Sequence, residues 1–542
     1  MSEVLNNATG LNRASGAAEP AGGGWTLRSY LPALLPIVGA ILVMLLRIQV
    51  GGDRFIADGA LMMLALACYL AAATFHLTNL YAPSDLAQRL GLWLGSLGVF
   101  FNLSSWLVRW IEAHDRELKL LLQSGYGPDQ MPWFFRYIPF ANLYDLSLAF
   151  AFGAGLTTML IAGRKSFRFL GALSLPLAAL ILVLARFIGN EFIDLPPVLD
   201  SYWRPIHVGI ASLSYGVALV CFATAIIYLL KDGVKSESMA IWTSLFALAV
   251  IATIGGRLGT FPILTSGTYS ASTFLQGSRM SLPLRADIPY VGPLLILAGL
   301  LLIGVIVFFL RYVFQHDEKS RRIGHLLLKL ALVAQACAVV TLVAGVKGMK
   351  NVVSHLNPAQ YERFGEWLAE KQGMTPEQVH ALSPAQMIGA TQEFIAQRGS
   401  SLILSLNANP VELAALITAF TGTLFVIFFS FRTERLREAL PAADKLDGLM
   451  YKTASVTFAG LAMLLITGAI WANESWGRYW GWDAKETGAF VAWLTYGAFL
   501  HARIARGMRG RSASYFAIVA FLFILFTYLG VSYLLPGLHS YA

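Results

Sequence analysis

The sequence predicts an all-α fold: a polytopic transmembrane helical bundle of about thirteen spans with a small helical subdomain on its outer face. Three observations lead there. Of 542 residues, 56% are hydrophobic and only 13% charged, and the mean hydropathy is +0.62. Apolar runs of about 20 residues, the length a helix needs to cross the hydrocarbon core, recur near 31–49, 56–79, 91–112, 140–162, 169–188, 206–230, 239–259, 290–314, 325–346, 411–431, 449–472, 488–506 and 513–535. This composition excludes a soluble multidomain protein. The net charge of +9 calls for no nucleic-acid partner, because excess Lys and Arg in a membrane protein collects in cytoplasmic loops.

Taken in order, residues 1–24 are polar, rich in Gly, Ala and Asn, and carry no signal-peptide pattern. The first 30 residues read as a flexible cytoplasmic tail. Residues 31–235 form a first set of membrane helices, 236–445 a block of four spans with a soluble-looking segment, and 446–542 a C-terminal core. Alternate connections carry Arg164, Lys165 and Arg168; Lys231 and Lys235; the basic stretch 311–329; Arg432, Arg435 and Arg437; and the basic stretch 503–511. All five fall on one side if every run spans, which places the N-terminus in the cytoplasm. Two segments of the opposite side are long. Residues 113–139 are mixed polar and aromatic. In 348–410, Pro358, Pro376 and Pro384 open short amphipathic patterns, read as an outer helical subdomain. Cys68, Cys221 and Cys337 each lie in an apolar run, with no disulfide framework or C-x-x-C motif.

The densest chemical signal is 476–487, W-G-R-Y-W-G-W-D-A-K-E-T. Trp476, Tyr479, Trp480 and Trp482 sit among Arg478, Asp483, Lys485 and Glu486, between two apolar runs. Four charges at the membrane centre would cost several kcal/mol, so this is no spanning helix. It reads as a shelf at the membrane boundary, with indoles toward lipid and charges toward water. The loop charges put it on the outer face.

Topology then selects among nine histidines. His207 lies at the outer end of the sixth run and His539 just beyond the last, so both share the level of the shelf. Two imidazoles flanking an indole cluster suit a flat, apolar, dianionic ring with an open metal. The imidazoles bind the metal axially, and Arg478 or Lys485 meets the ring's carboxylates. His501 lies in the twelfth run toward its cytoplasmic end, and His76 at similar depth in the second. They form either a bis-imidazole site on the inner side or ordinary buried histidines bonded to helix carbonyls. His114, His316, His325, His355 and His380 read as solvated.

The shelf resembles the Trp-rich "WWD" signature of the haem-handling proteins of cytochrome c assembly. Its wording is similar to the CcsA family (ResC-like), a subunit of system II cytochrome c synthases. Further resemblance lies in Asn142-Leu-Tyr-Asp145, the run from Trp203 to Tyr215, Leu446-Asp447-Gly-Leu-Met-Tyr451, Ala469-Ile-Trp471-Ala-Asn473-Glu474-Ser-Trp476, Tyr528-Leu-Gly530 and Gly537-Leu-His539-Ser-Tyr541. It covers roughly 56–235 and 446–542. The resemblance implies that His207 and His539 are the outer axial ligands of haem iron. It implies that His501 belongs to a haem-entry site whose second imidazole comes from a separate CcsB-like membrane subunit. Three features depart from the family: Ala484 stands in place of Pro, Gly488 in place of Trp, and residues 236–445 are inserted. Four inserted spans preserve the topology on either side.

The expected function is cytochrome c biogenesis at a bacterial cytoplasmic (inner) membrane. Haem b is carried to the periplasmic face, held by His207 and His539, and presented to the C-x-x-C-H segment of apocytochrome c for thioether attachment. Trp476, Trp480, Trp482 and Asp483 shape the platform, and a thiol reductant system keeps iron and thiols reduced. A haem exporter or delivery subunit without ligase activity, an ion-coupled transporter, and an assembly scaffold are the alternatives.

Overall fold

The computed structural model describes residues 27–531, except 128–129, 131–133, 193–196, 257–266, 277–280 and 407–409. Helices dominate because apolar side chains in long runs leave the backbone no other way to satisfy its polar groups in lipid. In chain order they begin with α1 (Leu27–Val50), α2 (Asp58–Tyr81), α3 (Asp85–Gln123), α4 (Leu143–Ala162), α5 (Gly171–Ile188) and α6 (Trp203–Lys231). Next come α7 (Ser236–Gly256), β1 (Tyr269–Leu275), β2 (Ser281–Ile288), α8 (Val291–Gln315) and α9 (Glu318–Gly348). The short elements α10 (Tyr361–Lys371), α11 (Pro376–His380), α12 (Pro384–Arg398) and β3 (Leu402–Leu404) precede α13 (Pro410–Ser430) and α14 (Thr433–Ala439). The chain closes with α15 (Ala443–Trp476), α16 (Ala484–Arg506) and α17 (Arg511–Leu525), the last running into a π-helical turn over Phe526–Gly530.

Among the described residues, 12 helices are long and apolar enough to cross a membrane. The chain is a multi-pass membrane protein. The remaining apolar run, 488–506, lies in α16, a 23-residue helix made more polar by Lys485 and Glu486 at its start and Arg503 and Arg506 at its end.

Close packing in lipid depends on small residues at helix crossings. A Cβ on Gly216 would lie 2.4 Å from the Gly153 carbonyl carbon, so α4 and α6 touch backbone to backbone. Gly460 of α15 has Ser214 of α6 in the same position, 2.1 Å from an added Cβ. Phe222 and Phe521 stack at 4.7 Å between α6 and α17. These contacts gather α4, α6, α15 and α17 around one core.

Polar groups tie the helix ends. Arg109, fully buried in α3, donates to Asp145 and lies 3.5 Å from Asp58. Tyr144 and Asn190 also donate to Asp58, at 2.8 and 2.9 Å. At the other end of the core, Arg503 of α16 grips Asp447 of α15 with two bonds of 3.0 and 2.6 Å.

The block 236–445 folds on itself. Helices α7, α8, α9 and α13 pack together, and α13 docks on α5. Its segment 348–410 carries the helices expected from sequence and also a strand: β3 joins a three-stranded antiparallel sheet of order β2-β1-β3, with Thr273 opposite Leu404. That sheet and α10 enclose a small core containing Leu284, Phe364 and Leu402. The block's entry and exit lie side by side. Lys231 donates to the carbonyls of Arg437 and Leu440, and Arg437 donates to those of Leu230 and Val234.

Candidate functional site

The shelf is built by two helix ends meeting. Helix α15 stops at Trp476 because Gly477 takes a left-handed conformation (φ 69°) and returns its N–H to Asn473. Helix α16 starts at Asp483, which accepts from the Lys485 N–H at 2.9 Å and forms a capping box with Glu486. The Glu486 carboxylate also accepts from the N–H groups of Gly481 and Asp483, at 2.8 and 3.2 Å. The five residues between these caps, 478–482, are held from both ends. Trp482 takes the strain, with φ at 56°.

Beneath the shelf is a cleft enclosing about 1240 Å3, open space at its mouth included. His207, Trp471, Trp476, Tyr479, Trp480 and Lys485 line it, with Arg204 and Tyr528. His207 stands on the second turn of α6. Its Nδ1 lies 3.0 Å from the Leu464 carbonyl and 3.4 Å from the Thr467 hydroxyl. A carbonyl can only accept, so Nδ1 carries the hydrogen and the ring's lone pair is on Nε2. Gly468 makes room for the ring: a Cβ there would sit 2.7 Å from Cε1. Trp471 lies at 5.7 Å from the ring, tilted by 49°.

Trp480 packs edge-on against Trp482 at 5.6 Å and Phe490 at 6.0 Å. The buried indole nitrogens of Trp471 and Trp480 have no hydrogen-bond partner among the described residues. Lys485 sits in the first turn of α16, before the apolar run. Burial pushes its ammonium down to about 8, against the opposing pull of Asp483.

The structure brings His207, Trp476, Tyr479, Trp480 and Lys485 into one cleft. Three other shelf residues lie off its wall. Trp482 is 69% exposed, Arg478 lies over Gly481, and Asp483 caps α16. His539 lies outside the described residues. His501 is exposed on α16. His76 is 2% exposed and hemmed in by Gly91 and Gly171. It stands on α2, which packs on α3 and α5, whereas α16 packs on α15 and α17. The pairing of His76 with His501 within the chain is therefore not formed.

Several wall residues lie in motifs noted in the sequence but were given no role there. Tyr528 sits in the π-helical turn, with its hydroxyl 2.5 Å from Ser147 of α4. Such turns often mark functional sites, but nothing in local sequence announces one. Arg204, three residues before His207 and so on the same helix face, was legible by spacing. The glycine at 488 is matched by its neighbour, since a Cβ there would meet the Thr527 hydroxyl at 2.6 Å.

The sequence model of the family described as Cytochrome C assembly protein matches residues 140–277 and 294–539, well over half of the chain. The chain belongs to the cytochrome c assembly protein family. The match takes in α6, the shelf, His501 and His539, and it continues through most of 236–445, the block expected from sequence to be an insertion. Among curated relatives, the chain is similar to the cytochrome c biogenesis protein CcsA of Prochlorococcus marinus subsp. pastoris, 42% identical over 144 residues, 26% of this chain and 45% of the relative. It is also similar to CcsA of Parasynechococcus marenigrum, 47% identical over 102 residues, 19% of this chain and 33% of the relative. The matched stretches span less than half the length of these relatives.

Proposed function

We propose that this chain handles haem b for cytochrome c biogenesis, holding it in the cleft under the shelf and presenting it to apocytochrome c. The observation that carries the reading is His207, an imidazole of fixed tautomer in an indole-lined cleft beside a membrane-boundary shelf. The donor set suits the cargo: Nε2 for iron, indole faces for an apolar macrocycle, and cations for its carboxylates. The unmatched indole N–H groups of Trp471 and Trp480 add donors in the same wall.

In the attachment step each cysteine thiol adds across a vinyl group. A C–S bond forms at one vinyl carbon, the thiol hydrogen ends on the other, and no net electrons are transferred. The chain's part is placement, since gathering thiol and ring edge at one site removes much of the entropic barrier. His207 and His539 would hold the iron, and Trp476, Trp480 and Tyr479 would pack against the macrocycle. Trp482, exposed beyond the cleft, is positioned to meet the incoming polypeptide. Asp483 acts by fixing the start of α16, and Arg478 remains a candidate for the outer propionate. His501, on the open surface of α16, is a haem-entry ligand completed by a CcsB-like subunit. The setting is a bacterial inner membrane with the N-terminus cytoplasmic, the shelf periplasmic, and a thiol reductant system supplying free thiols.

The test is maturation of a co-expressed apocytochrome c. Thioether-linked haem should form with the wild-type chain and its partner, and should be lost with His207→Ala and with His539→Ala. Haem delivered to the outer face without thioether formation would instead identify an exporter.

A further inference from the structure

Beside the shelf cleft lies a second open cleft of about 1070 Å3, open space at its mouth included, lined by Arg116, Arg136, Glu117, Asp145 and Asp200 among others. The two share Ala141 and Arg204 in their walls. Arg204 therefore stands at the junction. Its position follows from the start of α6: Trp203 opens the helix, Arg204 and Pro205 fill the first turn, and His207 follows one turn on. Arginine and histidine thus share a helix face, both on the wall of the shelf cleft.

The guanidinium is buried, with only 7% of the residue exposed, and it is under-satisfied. One Nη donates to the Arg136 carbonyl at 2.9 Å, while Nε is buried with no partner among the described residues. Nor does any described carboxylate form an ion pair with it. Asp200 is held by Arg136 at 2.6 Å and Asp145 by Arg109. Asp200, Asp145 and Glu117 lie near enough to act on Arg204 through space, but none bonds it, and a buried guanidinium with an unmade bond favours a further acceptor. The positive end of the α6 helix dipole lies at the same place. Cleft, orphaned donor and helix end all favour an anion.

We propose that Arg204 binds a carboxylate of the haem held on His207, a binding role that deepens the haem reading above and rests on it. A planar guanidinium meets a carboxylate through two parallel bonds, which fixes the direction of the group as well as its charge. With the iron held by His207 one turn away, this second attachment sets the ring's rotation in the cleft. The vinyl edge is then presented in one orientation. Lys485, also on the cleft wall, supplies a second cation for the other carboxylate.

The test compares iron protoporphyrin IX with its dimethyl ester, which keeps ring and iron but has no carboxylate charge. Affinities for the purified full chain are read by absorption titration, for wild type, Arg204→Gln and His207→Ala. Arg204→Gln should weaken the free acid about tenfold, the scale of one charge-assisted contact, and leave the ester within about twofold. Retained ester binding also shows that the variant is folded. Arg204→Lys should recover part of the preference, because charge is kept but the fork is lost. Equal binding of the free acid by Arg204→Gln and wild type, or equal loss of both porphyrins, would overturn the assignment while leaving the haem reading intact. Binding of neither porphyrin by the wild type, or binding indifferent to His207→Ala, would overturn the haem reading and the Arg204 role together.

Discussion

His207 sets the terms at the scale of single residues. The Leu464 carbonyl fixes its tautomer and Gly468 leaves the space in which its ring lies. Filling that space displaces the imidazole. Gly468→Val should therefore lower haem occupancy severalfold and shift the reduced spectrum while the chain still folds, as read by absorption and by thermal melting of the detergent-solubilised protein. Lys485 gives a pH signature. Its ammonium is held down near 8 by burial, and a bound carboxylate would raise it again. The bound form then takes up a proton that the free form has lost, so affinity should fall as pH rises above about 8. Lys485→Met should weaken binding at pH 7 and flatten that dependence. Unchanged pH dependence in the variant would remove Lys485 from the anion site. Much of this was legible in sequence: His207 and the W-G-R-Y-W-G-W-D run announce themselves by chemistry. What was not legible is which shelf side chains turn inward. The positive φ at Trp482 and the lie of Arg478 over Gly481 come from a turn whose geometry the residue types alone do not specify.

At the scale of elements, the shelf is only as rigid as its two caps. Asp483 and Glu486 show the capping-box spacing in the bare sequence, and the structure forms it. Glu486→Ala removes the acceptor for two shelf N–H groups and should cost about 1 kcal/mol, seen as a lower Tm and a broader haem absorption band. The Arg109 network joins α2, α3 and α4 through Asp58 and Asp145. Arg109→Met strands two buried carboxylates and should destabilise by roughly 3–5 kcal/mol, so a fall in Tm of several degrees is expected. An unchanged Tm would show that these carboxylates are neutralised some other way. The network escaped sequence reading because its members lie far apart in the chain. The β1–β3 sheet escaped for the same reason: Thr273 and Leu404 pair across the whole of α8 to α12, and no local pattern records such a partner.

At the scale of the whole molecule, the helices of 236–445 pack mainly on one another, with α13 docked on α5. Arg437, near the end of this block, bonds the carbonyl of Val234, just before its start, so the segments on either side of 236–445 come together at that junction. Deleting residues 236–432 and joining the ends with a short Gly-Ser linker should leave haem binding unchanged. A colourless deletion variant that still melts cooperatively would instead make the block part of the site. The cleft itself draws on α4, α6, α15, α16 and the π-helical turn after α17, elements from both ends of the chain.

The most direct measurement of the central claim is the absorption spectrum of the purified, dithionite-reduced protein, for wild type and His207→Ala expressed with ample haem and the CcsB-like partner. A bis-imidazole b-type spectrum is expected in the wild type, lost or shifted in the variant. An identical spectrum in both, or none in the wild type, would contradict it.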